Sequence, residues 1–191
     1  MRNKIHSVFA ENIAVKQAML QDDDLAKTIV EAVHLIVATF RQGGKILFCG
    51  NGGSAADAQH LAAELSGRYY LDRPALFAEA LHVNTSFLTA VSNDFGFENA
   101  FARAVEAMGK RGDVLFALST SGRSPNILRA IAMAKELELH VIGMTGAEGG
   151  DMAGLCDFLI KIPSNDTPRI QEGHLLVGHV ICEQVEQTLF P

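Results

Sequence analysis

Six residues have the types and spacing to hold a metal ion or move a proton. His60 and Glu64 lie four positions apart in a stretch, 54–66, that reads as helix. That spacing puts both side chains on one face, and it is how a single helix offers two ligands to a metal. An ordinary helix-stabilising surface pair has the same spacing. A second group, Gln171, Glu172, His174 and His179, falls in a long helical pattern over 168–189. Eight residues of regular helix rise about 12 Å, so one continuous helix cannot bring both Gln171 and His179 to one small ion. Either Gln171 precedes the regular helix, or the two residues serve a site from different chains. Taken alone, His179 also suits a core or interfacial position.

Two loops have the composition of anion sites. One is Gly50-Asn51-Gly52-Gly53-Ser54 and the other is Ser119-Thr120-Ser121-Gly122-Arg123-Ser124. Glycines let backbone N–H groups converge, and a helix starting there favours negative charge. The second loop adds four hydroxyls within six residues. Neither is a Walker A loop or a GxGxxG fingerprint. Asn93-Asp94, in the segment NDFGF, suits either a polyol contact or an Asx turn.

The elements that must position these residues alternate along the chain. Apolar runs at 45–50, 75–81, 114–119, 140–145 and 158–162 are separated by helical patterns near 54–66, 85–92, 97–109, 124–138 and 148–154. Continuous apolar strands between helices predict a parallel sheet covered on both faces. Both loops then fall beyond the carboxyl ends of strands, where open α/β sheets bind ligands. Helical patterns over 2–20 and 25–42 precede the sheet. Asp22 to Asp24 are N-cap candidates for the second, and Gly43-Gly44 ends it.

Composition narrows the function. Of 191 residues, 16 are Lys or Arg and 22 are Asp or Glu, giving a net charge of −6. That balance excludes a general nucleic-acid binder, which needs a basic stripe. Cys49, Cys156 and Cys182 are scattered, so they predict buried reduced thiols in a cytoplasmic protein rather than disulfides or a structural zinc. No signal peptide or membrane span is expected. At 48% apolar and 20% charged, the chain carries more apolar positions than one sheet can cover. Helices 2–20, 25–42 and 168–189 hold the excess, which predicts that the chain is not a stable monomer.

The segments GKILFCGNGGSAADAQHLAAELSGR, SNDFGFE, GDVLFALSTSGRSPNI and PRIQEGHLLVGHVICEQVE occur in an order that resembles the bacterial phosphoheptose (sedoheptulose 7-phosphate) isomerases of the SIS, or sugar isomerase, fold. The resemblance covers essentially the whole chain. STSGxS marks only the wider fold, whereas NGGSAADAQH…E with RIQE…H is more specific. It implies a single three-layer α/β domain over 1–191, flavodoxin-like, with a five-stranded parallel sheet, helices on both faces and a long C-terminal helix. The N-terminal helices, 1–42, would serve oligomerisation.

The resemblance also implies an aldose–ketose isomerase acting on a seven-carbon sugar phosphate, the first step toward ADP-heptose and the lipopolysaccharide core. Glu64 and His179 match the catalytic acid/base pair. His60, Glu64, Gln171 and His179 match a zinc site, one ion per subunit. Asn51, Gly52, Gly53, Ser54, Glu64, Arg68, Asn93, Asp94, Ser119, Thr120, Ser121, Ser124 and Gln171 match substrate-contacting positions. Members are homotetramers with intersubunit sites and bind neither nucleic acid nor membrane. Some relatives carry an acidic residue where this chain has Pro168, and Asp166 does not align with it. A non-catalytic tetramer of the same fold, which binds the replication initiator, lacks both catalytic residues. This chain keeps Glu64 and His179, which favours the enzyme.

Overall fold

A computed structural model describes residues 1–191. The two N-terminal helical patterns become α1, Arg2–Leu20, and α2, Asp23–Arg41. Asp22 caps α2 by accepting the Leu25 amide at 2.9 Å, as its position predicts. Five strands follow: β1 (Ile46–Cys49), β2 (Ala78–Ala80), β3 (Val114–Leu118), β4 (His140–Thr145) and β5 (Phe158–Lys161). Between and after them lie α3 (Gly53–Ser66), α4 (Thr85–Phe95), α5 (Ala100–Met108), α6 (Pro125–Glu136) and α7 (Thr167–Leu189). Pro125 and Pro168 stand in the first turns of α6 and α7, where the missing N–H costs nothing.

The sheet is parallel throughout, in the order β2-β1-β3-β4-β5. Its direction of winding reverses between β1 and β3, so the loops after these two strands open the crevice where such sheets bind ligands. Alternation within β1 divides the core. Ile46 and Phe48 face α2, α3 and α7, while Leu47 and Cys49 face α5 and α6. Phe48 stacks on Phe116 of β3 at 5.1 Å between ring centroids. All three cysteines are free thiols, Cys49 and Cys182 buried and Cys156 half-buried. No helix is long and apolar enough to cross a membrane.

Three expectations need correction. The stretch 148–154 is not a helix but one 3-10 turn at Gly150–Met152, because Gly149, Gly150 and Gly154 all take positive φ. The run 75–81 pairs as a strand only over Ala78–Ala80. Asn93 and Asp94 lie in the last turn of α4, not in a turn after it, and the chain reverses instead at Gly96, φ +84°.

Candidate active site

The two loops meet at the switch point. Asn51 and Asn126 exchange side-chain hydrogen bonds at 2.9 and 2.8 Å, tying the loop after β1 to the start of α6. Ser54 is buried in the first turn of α3. Ser119 and Ser124 hydroxyls lie 3.1 Å apart across the second loop. That loop is clamped by the turn after β4: Gly146 N–H donates to the Thr120 carbonyl and Met152 N–H to the Gly122 carbonyl. Gly122 has φ +64°, and a side chain there would overlap the Gly149 carbonyl. A polar cavity of about 230 Å³ opens beside it, lined by Thr120, Ser121, Arg123, Glu148, Asn165 and Thr167. Arg123 spans its rim to Glu148 at 3.0 Å. Backbone amides, hydroxyls and helix N-termini are the kinds of donor that bind an anion without a cluster of basic residues.

The candidate metal-binding and acid/base residues of α3 and α7 gather where these helices run side by side. Gly178 brings the helices close, since any side chain there would overlap Leu61. His60 Nε2 lies 2.8 Å from His179 Nε2 and 3.3 Å from a Glu64 carboxylate oxygen. The donor atoms of His60, Glu64 and His179 all fall within 4.8 Å of one another. Glu64 is partly shielded while His60 is about half exposed, so the cluster opens to solvent on one side. Two imidazole nitrogens and one carboxylate with an open face are the donor set of a catalytic zinc site, and these residues fit that ion.

Gln171 does not join this cluster. It lies within α7, on one continuous helix with His179, which removes the possibility that it precedes the regular helix. Its amide rests against Gly53 at the start of α3, beside the loop after β1. Arg68 is exposed just beyond Gly67, the C-cap of α3. Asn93 and Asp94 are exposed and hydrogen-bonded to each other at 2.8 Å.

Further polar residues around the cluster are absent from the sequence reading. Asp57, one turn before His60 on α3, has a buried carboxylate oxygen without a partner. Burial raises its pKa above the ordinary value, and the charge of His60 opposes that shift. Arg73 and Glu186 form a buried ion pair at 3.0 Å behind Glu64. Glu186 carries a signal that could have revealed it: it continues the stripe of Gly178 and Cys182 on the buried face of α7, where a carboxylate needs a partner.

The SIS domain family profile matches residues 9–146. "Phosphoheptose isomerase 2" of Campylobacter jejuni is 50% identical, covering all of this chain and 94% of that protein. The phosphoheptose isomerase of Aneurinibacillus thermoaerophilus is 48% identical over all of this chain and 96% of its own length. Among solved structures, the phosphoheptose isomerase of Neisseria gonorrhoeae superposes with a TM-score of 0.91 at 42% identity, covering 97% of this chain and 98% of that one. The chain thus belongs to the SIS domain family and, within it, to the phosphoheptose isomerases, and it is an isomerase.

Proposed function

We propose that the chain converts sedoheptulose 7-phosphate to D-glycero-D-manno-heptose 7-phosphate, the first step toward ADP-heptose and the lipopolysaccharide core, in the cytoplasm. The observation that carries the reading is the meeting of Glu64 and His179 on the neighbouring helices α3 and α7. Turning this ketose into an aldose removes a proton from C1, passes through an enediol or enediolate, and returns a proton to C2. A second group must move the proton between the two oxygens. Glu64 and His179 divide these tasks. Ser119, Thr120, Ser121 and Ser124, with Asn51, Gly52, Gly53 and Ser54, hold the phosphate and the adjoining sugar. Arg68, Asn93, Asp94 and Gln171 contact the polyol. Zn²⁺, one per subunit, would be held by His60, Glu64 and His179 and, when bound, would polarise the substrate carbonyl. Gln171 would join it from a neighbouring subunit of a homotetramer, since its own chain carries it away from the cluster.

The test is purified protein with sedoheptulose 7-phosphate, with and without chelator. Absence of product even with added Zn²⁺ overturns the reading. Glu64→Gln should lose about 10²–10⁴-fold in kcat, the usual worth of a positioned acid or base, while still binding substrate. Full activity in that variant would remove Glu64 from the acid/base pair.

A further inference from the structure

The most completely satisfied buried charges in the molecule lie at the C-terminal end of α3, next to Glu64. The Glu186 and Arg73 side chains are 1% and 2% exposed. Glu186 accepts three consecutive backbone amides, Tyr69 at 3.1 Å and Tyr70 and Leu71 at 2.8 Å, and the Arg73 Nε–H at 3.0 Å. Arg73 turns its remaining nitrogens onto carbonyls: Glu64 at 3.0 Å, Leu65 at 2.8 Å, and Gly67 and Pro74 at 3.1 Å. Burial alone would raise the Glu186 pKa; the three amides and Arg73 outweigh it and hold the carboxyl below its ordinary value.

We infer that Arg73 and Glu186 are positioning residues, a brace that keeps Glu64, Arg68 and His179 in one fixed register. This rests on the isomerase reading for what the register serves. Three features support it. First, Arg73 caps the last carbonyls of α3, including that of Glu64 itself, which would otherwise lack helical partners. Second, the brace grips the chain on both sides of Arg68, at the Gly67 carbonyl and the Tyr69 amide, but leaves Arg68 itself exposed. The backbone of Arg68 is thereby fixed while its side chain stays free to turn to a ligand. Third, Glu186 is two turns beyond His179 on α7, so one carboxylate joins that helix to the segment carrying Glu64 and Arg68. The Tyr69 ring, held by the same amide contact, lies 5.8 Å from the His179 ring.

Stability alone does not account for this arrangement. A buried ion pair contributes no more than well-packed apolar residues of the same volume, because desolvation offsets the attraction. What directed charges add is direction: eight bonds hold the last turn of α3 and the loop after it in one geometry, and proton transfer demands close placement.

The experiment compares wild type with Glu186→Gln, Arg73→Ala and Arg73→Lys, all assayed well below the lowest melting temperature. With sedoheptulose 7-phosphate, Glu186→Gln and Arg73→Ala should lose about 10²-fold in kcat, the scale of an ångström-sized misplacement, with little change in KM. Arg73→Lys should recover part of that loss, because an ammonium can still cap some of the carbonyls. Kcat near the wild-type value in folded Glu186→Gln and Arg73→Ala overturns the inference, whatever happens to their melting temperatures. Amide hydrogen exchange over residues 64–73 separates this from failure of the isomerase reading. If wild type turns over no sugar phosphate, the isomerase reading fails, and faster exchange confined to that segment in Glu186→Gln still supports the brace. Unchanged exchange there overturns it.

Discussion

His174 gives the fold a pH limit. It is fully buried on α7, between Gln171 and His179, with Nε2 at 3.2 Å from the Thr145 carbonyl and Nδ1 without a partner. Burial lowers its pKa to about 4, and the Thr145 bond only partly opposes that shift. The unfolded chain takes up this proton near pH 6.5, the folded chain only near 4, so the stability present above 6.5 is lost as pH falls between the two. About 3 kcal/mol should disappear across that window. Urea midpoints at pH 7 and 4.5 should diverge in wild type and draw together in His174→Gln; equal divergence in both would mean that another group controls the loss. At this scale the sequence was legible where residue type and spacing coincide. His60 and Glu64 announce a shared face, and the structure brings them within 3.3 Å. Arg73 and Glu186 were not legible, because they are 113 positions apart and nothing local links a carboxylate on α7 to the loop after α3.

Elements were readable when the apolar pattern alone sets them and failed where backbone geometry decides. All five strands were visible as apolar runs, since a sheet covered on both faces buries every residue of β1 and β3. The helix expected over 148–154 failed because its glycines serve a different purpose. Gly149 and Gly150 let the turn after β4 fold against Gly122, pinning the loop after β3 through the Met152 N–H. A pair of glycine variants distinguishes packing from strain. Gly122 and Gly112 both have positive φ, +64° and +84°, but only Gly122 is in close contact with other backbone. Gly112→Ala should lower stability by about 1–2 kcal/mol, the cost of the left-handed conformation, and leave KM unchanged. Gly122→Ala should cost more and raise KM several-fold, because the loop must shift away from Gly149. Identical kinetics in the two variants would show that the loop's exact placement does not matter to substrate.

The whole molecule leaves apolar surface that its own fold does not use. No residue of α1 is buried, although Ile5, Phe9 and Ile13 form a stripe along it and are 47%, 63% and 55% exposed. Arg169 donates to the Val8 carbonyl at 3.1 Å, Asn12 bonds Glu172, and Val15 and Met19 pack against the core, so α1 is held to the molecule while Ile5, Phe9 and Ile13 face out. A separate apolar groove between α2 and α7 exposes Val30 and Val180. Single exposed apolar residues need no explanation, but an apolar stripe along a whole helix does. A second copy docking there would cover the stripe and could bring in a residue such as Gln171 that its own chain directs elsewhere. Wild type should therefore sediment as a multimer at micromolar concentration, and Phe9→Asp with Ile13→Asp should shift it to smaller species. If the site is shared between copies, the dissociated form keeps its helical circular dichroism but loses turnover. A variant that dissociates and stays fully active would place the whole site within one chain. A wild-type chain that sediments as a monomer would leave the apolar stripe of α1 without this explanation.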